Sequence, residues 1–351
     1  MPPWALAACL LLLSAPFAEP ARAADWPKAL QQEIEKVDRA SPGTLGVYVK
    51  RLDSGDTFGY GADKRWYLAS TVKVAVAIAL LQQVDAGRLT LSQRVALEEA
   101  DKVDGSGQVV WSATGTRYTL DSLLDRMLGV SDNTAANMLI RTIGEDALNQ
   151  SAADAMGRGN MGKLTTFTEV RREVYAELNA RGAEKLSNRQ LVEIAGAPMG
   201  PKRVAAAQRA MAVPDSELQA RSIDEAYARY YADGDNAATL EAYGAMLEKL
   251  VRGQLLSAGS TQRIFKGMKF GAPGDYRLEA GLPKNVKRIH KTGTQYRRAC
   301  HMAVVDPQDG GAHAVVIASC AADLNDQTEA GGVFQQVGRA VTRTALAQGG
   351  R

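Results

Sequence analysis

The sequence predicts an α+β fold: an antiparallel sheet built from both chain ends, flanked by helices, with an all-α lobe inserted between the two halves. Three observations carry this prediction. Alternating, β-branched runs occur early, at 45–51 and 57–60, and return late, at 287–291, 300–305 and 313–319. Between them, residues 152–246 are rich in Ala, Arg and Glu and poor in β-branched residues, a composition that favours helix. Finally, residues 74–81 are all apolar. A helix apolar on every side belongs in the middle of a core, and this one is too short to cross a bilayer.

The N-terminus reads as an export leader. Residues 4–17 are an apolar run, and Ala21-Arg22-Ala23 before Ala24 is a small-x-small cleavage signal. Leu6-Ala7-Ala8-Cys9 resembles a lipoprotein processing box, but almost no hydrophobic segment precedes it. The expectation is therefore a soluble exported protein, periplasmic or secreted. Removing residues 1–23 leaves 351 − 23 = 328 residues, enough for one catalytic domain over 24–351. Within it, 24–65 and 236–351 form an α/β lobe, and 66–235 a helical lobe with an insertion at about 181–235. A net charge of +3, dispersed along the chain, gives no argument for nucleic acid. No stable membrane span, cofactor or metal is expected, and a monomer is.

In chain order, residues 26–37 read as an amphipathic helix with Leu30, Ile34 and Val37 on one face, ended by Ser41-Pro42-Gly43. A hairpin follows, strand 45–51 and return strand 57–60 about the turn Asp53-Ser54-Gly55-Asp56. It leads through Arg65-Trp66-Tyr67-Leu68-Ala69-Ser70-Thr71-Val72-Lys73 into the apolar helix, which stops near Gly87. Residues 89–95 and 101–116 read mostly as loop, with Trp111 either a cleft wall or a packing anchor. A helix at 119–128 starts at a capping Thr119 or Asp121. Ser131-Asp132-Asn133 separates it from the next helix. Helices at 240–252 and 260–268, a strand into Thr292-Gly293-Thr294, a last hairpin and a helix at 333–347 complete the chain.

Ser70 is a hydroxyl at the N-terminus of a buried helix, where free backbone N–H groups and the helix dipole favour developing negative charge. Lys73 is three residues later on the same face. Burial disfavours its charged form, so it can accept a proton from Ser70. Ser-x-x-Lys alone is common, and Ser-Asp-Asn is also ordinary turn and cap chemistry. What distinguishes this chain is that Ser70-x-x-Lys73, Ser131-Asp132-Asn133 and Lys291-Thr292-Gly293 occur in that order.

That set resembles the penicillin-recognising serine acyl-transferases, and most closely the class A β-lactamases. The flanks agree: residues 65–73, Thr134-Ala135-Ala136-Asn137, and Leu250-Val251-Arg252-Gly253-Gln254-Leu255-Leu256 before a short helix. The resemblance covers roughly 27–165 and 236–346. It implies the β-lactamase/transpeptidase-like fold, with Ser70 attacking the carbonyl of a lactam or peptide. Ser131 would relay a proton to the leaving nitrogen, aided by Lys73 and Lys291. Asn133 would hydrogen-bond the substrate's side-chain amide, and Lys291 and Thr292 its carboxylate. The backbone N–H groups of Ser70 and Thr294 would form the oxyanion hole. Arg297 or Arg298 would add a second carboxylate contact.

The family also implies a water-activating glutamate within a Glu-x-Glu-Leu-Asn loop after Ser-Asp-Asn. The only matching piece is Tyr175-Ala176-Glu177-Leu178-Asn179, which registers Tyr175 on the catalytic position and Glu177 on the second. Glu169 and Glu173 are the nearby substitutes. Lys291 follows Ser131 by 291 − 131 = 160 residues, and the excess over the family pattern lies mainly in 181–235. Cys300 and Cys320 sit on the two arms of the last hairpin, so a cross-strand disulfide is expected. A metal group of Cys300, His301, His313 and Cys320 is the poorer alternative, since adjacent strand residues face opposite ways. The expected function is a serine hydrolase that opens β-lactam rings through an acyl-enzyme at Ser70. The alternatives are a D-Ala-D-Ala carboxypeptidase or other peptidoglycan peptidase, and a penicillin-binding sensor that does not turn over.

Overall fold

The computed structural model describes residues 25–325 and 327–347; the leader expected at 1–23 lies outside them. Helix α1 (Trp26–Ala40) starts where the Asp25 carboxylate accepts from the Lys28 N–H, and it buries Trp26, Leu30 and Ile34. Strands β1 (Thr44–Arg51) and β2 (Thr57–Tyr60) form the first hairpin, with Lys50 opposite Thr57. Strand β3 (Arg65–Tyr67) leads through a 3₁₀ turn (Ala69–Val72) into α2 (Lys73–Asp85). A small strand pair, β4 (Arg94–Ala96) with β5 (Arg117–Thr119), flanks the stretch expected to be loop at 101–116. Three-residue strands are too short to leave an alternation in the sequence.

Helix α3 (Leu120–Gly129) is capped by Thr119, one of the two residues expected to do so. Helices α4 (Asn133–Ile143), α5 (Glu145–Met156) and α6 (Phe167–Ala176) complete the original helical lobe. The stretch expected to be an insertion carries α7 (Ala180–Glu184), α8 (Asn188–Ala195), α9 (Pro201–Met211) and α10 (Ile223–Asp233). Strand β6 (Ala237–Thr239) pairs with β3, then α11 (Leu240–Val251) and α12 (Ala258–Gly267) return the chain to the sheet. Strands β7 (Arg288–Gln295), β8 (Arg298–Val305) and β9 (Val315–Ala322) precede α13 (Gln327–Arg343). This last helix begins six residues earlier than 333, so it contains Gly331 and Gly332.

The main sheet is antiparallel throughout, in the order β2-β1-β9-β8-β7. The chain ends meet in it: Thr44–Arg51 of β1 pairs along its whole length with Val315–Ala322 of β9. Period-two alternation sorts the side chains. Val47, Val49, Ala303 and Ile317 face Phe334 and Val337 of α13, together with Leu30 and Ile34 of α1. Tyr48, Met302, Val316 and Ala318 face α2 and α11. Every residue of α2 from Lys73 to Leu81 is buried. Each Val, Leu or Ile so placed contributes about 1.5–3 kcal/mol, which makes α2 the axis of the core. Helices α6 to α10 share a separate core of Tyr175, Leu191, Ile194, Tyr227 and Tyr230, and this core reaches Tyr67 and Ala69 beside the start of α2.

Candidate active site

Ser70 lies in the 3₁₀ turn just ahead of α2 rather than in the α-helix itself. The preceding Ala69 has φ 48°, a left-handed conformation costing about 1–2 kcal/mol for a non-glycine residue. The turn is held from several sides. Thr71 Oγ1 donates to the Leu68 carbonyl at 2.7 Å, and the buried Tyr243 hydroxyl donates to the Thr71 carbonyl at 2.9 Å. Strand β7 closes against it at Gly293, where a Cβ would stand 2.5 Å from the Leu68 carbonyl oxygen and 3.0 Å from the Ser70 nitrogen. Only glycine lets the strand come this close.

The Lys73 amine, on the first residue of α2, donates to Ser70 Oγ at 3.0 Å and to Ser131 Oγ at 3.1 Å. It also donates to the Ser131 carbonyl and to Asn133 Oδ1, each at 2.6 Å. Ser131, with φ 60°, turns its hydroxyl toward both lysines, since Lys291 Nζ lies 3.0 Å from the same oxygen. Asp132 is structural. Its carboxylate caps α4 at Ala135 N and accepts from the N–H groups of Gln108 and Val109. Thus the plain turn-and-cap reading of Ser-Asp-Asn is right for Asp132, while Ser131 and Asn133 converge on Lys73.

Burial holds the Lys73 amine well below the usual lysine range, and the Lys291 charge pushes the same way. Burial lowers Lys291 to about 7, with Lys269 and Arg277 adding to the effect. A buried amine poised to be neutral, in contact with two hydroxyls, can move a proton between them.

Lys291, Thr292 and Thr294 follow one another along β7, and Lys291 also donates to the Thr292 carbonyl at 2.9 Å. The second cation at this edge is not the one expected. Arg297 pairs with Asp224 at 3.3 Å and Arg298 with Asp323 at 2.8 Å. Arg277, which the sequence did not single out, instead donates to Thr294 Oγ1 at 2.8 Å and to the Gly293 carbonyl at 3.2 Å. It is 2% exposed. No local pattern marks it, because it opens a short 3₁₀ turn (Arg277–Gly281) and reaches β7 only through the fold.

The expected glutamates do not reach Ser70's lysine. The ring of Phe167 lies 4.3 Å from Lys73 Nζ instead. Tyr175, the residue that the Leu178-Asn179 register sets on the family's catalytic position, is buried among Leu191, Ile194, Tyr227 and Tyr230. Glu169 lies 3.8 Å from Arg172. Burial raises Glu173 to about 7, with the charges of Glu169 and Asp235 adding to it and that of Lys163 opposing. Glu177 ends α6 as its C-cap. Nothing in the sequence announced Phe167, whose position follows from Asn137: its Oδ1 accepts the Phe167 N–H at 2.8 Å and pins the start of α6.

The disulfide expected between Cys300 and Cys320 is present, joining directly opposed residues of β8 and β9. It removes both thiols from the alternative metal group. Among the described residues, donor atoms of Glu279, His290 and His301 lie within 4.8 Å of one another on the back of β7 and β8. His301 Nδ1 accepts the Leu278 N–H at 3.3 Å, which leaves the proton on Nε2, pointing at His290 Nδ1 3.1 Å away. Glu279 is paired with Arg288. The donors already serve one another, and this group does not fit a metal. Trp111 is 71% exposed and so is no packing anchor; it borders a groove with Arg189 and Val192 of α8.

A family model described as "Beta-lactamase enzyme family" matches residues 29–345. The chain is 35% identical over 116 residues to Beta-lactamase CTX-M-97 of Escherichia coli, which covers 33% of this chain and 40% of that protein. Among solved structures, a variant of the last common ancestor of Gram-negative bacteria β-lactamase class A aligns with a TM-score of 0.64 and 26% identity. That alignment covers 90% of this chain and 97% of the other. A leucine-to-glutamate variant of PBP-A, solved as an acyl-enzyme complex with penicillin G, aligns with a TM-score of 0.67 and 21% identity. It covers 94% of this chain and 100% of the other, and shares the fold.

Proposed function

The chain belongs to the β-lactamase enzyme family, and on that premise we propose that it opens β-lactam rings by acylating Ser70 and releases the acyl group slowly. One observation carries the acylation reading: a single amine, Lys73 Nζ, contacts both Ser70 Oγ and Ser131 Oγ. Neutral Lys73 takes the Ser70 proton as Oγ attacks the lactam carbonyl. The N–H groups of Ser70 and Thr294 receive the oxyanion; one such donor is worth roughly 3–4 kcal/mol in related acyl transfers. Ser131 delivers a proton to the departing nitrogen and is replenished from Lys73, with Lys291 keeping its oxygen acidic. Lys291, Thr292 and Arg277 bind the substrate carboxylate, and Asn133 the amide of its acyl side chain.

The second half of the reaction needs a water and a base beside the ester. Phe167 supports a slow second half, because an apolar ring occupies the side of Lys73 where a carboxylate would hold that water. The same observation favours one further reading, a peptidoglycan peptidase or penicillin-binding protein of the D-Ala-D-Ala-recognising kind. Export through the leader at 1–23 fits either role; the N-terminal sequence of the secreted protein, expected to start at Ala24, tests it.

The deciding experiment combines stopped-flow and steady-state assays on a chromogenic cephalosporin with intact mass. Acylation followed by slow turnover, both lost in Ser70→Ala, is the expected result. A single burst with a persistent adduct on Ser70 moves the assignment to the penicillin-binding reading. No adduct overturns the acylation mechanism.

A further inference from the structure

We propose, building on the acylation reading, that the inserted helices α7–α10 close the acyl end of the substrate cleft and restrict the enzyme to substrates with compact acyl side chains. The direction of the cleft follows from β7. Lys291 takes the carboxylate end, and Thr294 lies about 10 Å further along the strand, where the scissile carbonyl sits. The substrate's acyl substituent therefore continues past Thr294 toward Gln295. The excess of this chain over the family's spacing lies mainly in residues 181–235, and α10, within that stretch, stands at that exit.

The contacts span both walls of the cleft. On the β7 side, the Tyr227 hydroxyl lies 3.4 Å from Gln295 Oε1. Tyr231 donates to the Tyr296 carbonyl at 2.7 Å, and Tyr296 to Asp224 at 3.0 Å. On the opposite side, Asn188 at the start of α8 donates to the Ala100 carbonyl at 2.7 Å and to that of Lys102 at 3.2 Å. The insertion thus runs from the β7–β8 turn to the loop before Asp104.

Beneath it lies a buried polar floor. Asn133 Nδ2 donates to the Asp104 carbonyl at 2.8 Å, and Arg171 Nε to the Asp104 carboxylate at 2.7 Å. Burial pushes the Tyr227 hydroxyl up, and the charges of Arg171 and Asp104 pull it in opposite directions, so it sits in the field of that pair. Tyr227 is 4% exposed. An acyl group anchored through its amide at Asn133 therefore meets a wall made by Tyr227, Gln295 and Arg171 within a short reach.

The test uses two penicillins with the same nucleus and the same amide, benzylpenicillin and the ethoxynaphthoyl penicillin nafcillin. Second-order acylation rates are read by intact mass. The wild-type protein is expected to prefer benzylpenicillin by about ten-fold or more, the scale set by misfit in an apolar pocket. Tyr227→Ala and Gln295→Ala should each raise the nafcillin-to-benzylpenicillin ratio about ten-fold, while Arg229→Ala, on the exposed side of α10, leaves the ratio unchanged. Gln295→Ala decides the matter if Tyr227→Ala does not fold. A wild-type ratio near one, or an unchanged ratio in Gln295→Ala, overturns the inference. Absence of any benzylpenicillin adduct overturns the acylation reading instead.

Discussion

The Lys73 amine stands 4.3 Å from the centre of the Phe167 ring, and among the described residues no carboxylate is one of its hydrogen-bond partners. The amine that touches Ser70 Oγ is thus screened on one flank by hydrocarbon. Phe167→Glu places a carboxylate at the amine and beside the ester carbonyl. Decay of the acyl adduct, followed by mass, should quicken about ten-fold or more, a modest share of what a general base supplies. Phe167→Ala, which opens space without adding a base, should not reproduce the gain.

The pH profile of acylation should be bell-shaped. Its rising limb follows deprotonation of Lys73, which burial places well below the usual lysine range. Its falling limb follows loss of the Lys291 charge, near pH 7 in the free enzyme. Lys291→Arg keeps a cation that does not titrate, so the falling limb should disappear from the accessible range. A Lys291→Arg profile that still falls near pH 7 would assign that limb elsewhere. Linkage gives a companion sign: between about 7 and 10.5 the unfolded chain holds more protons at position 291, so this residue makes the fold more stable as pH rises through that window.

Gly293→Ala should retain its fold and lose acylation. The added carbon would press to 2.5 Å from the Leu68 carbonyl oxygen, so β7 must retreat from the Ser70 turn. Because the two proposed oxyanion donors, the N–H groups of Ser70 and Thr294, lie on these two segments, the acylation rate should fall about 10²–10³-fold with a near-native circular dichroism spectrum.

Arg277→Lys should weaken binding of anionic substrates more than the chemical step. A charge-assisted, forked contact is replaced by a point charge. The expected change is about ten-fold in KM with a smaller change in kcat. An equal fall in kcat at constant KM would place Arg277 in the transition state instead. Lactams lacking the carboxylate should not distinguish the two proteins.

The Cys300–Cys320 bridge closes a separation of 20 residues between opposed strand positions. Replacing both by alanine should remove about 3 kcal/mol of stability. Thermal unfolding of the variant should match that of the wild-type protein unfolded with reductant present, and both should retain Ser70 acylation.

The sequence by itself determined what local chemistry governs. The apolar run 74–81 could only be a core helix, and it is buried without exception. The order of Ser70, Lys73, Ser131, Asn133 and Lys291, with the turn and cap residues around them, marked the convergence that the hydrogen bonds display. The terminal strands and the cross-strand disulfide were likewise legible, because alternation and hairpin geometry are properties of neighbours. The short Leu178-Asn179 motif set Tyr175, not a glutamate, on the family's catalytic position, and Tyr175 packs into the core it shares with Tyr227 and Tyr230. Only the tertiary structure decided that Phe167 lies over Lys73, that Arg277 rather than Arg297 or Arg298 reaches Thr294, and that Tyr227 meets Gln295 across 68 residues. Such contacts join segments far apart in the chain, and no periodicity or spacing within either segment encodes them; they arise when the core around α2 and the separate core of the insertion settle against the same strand.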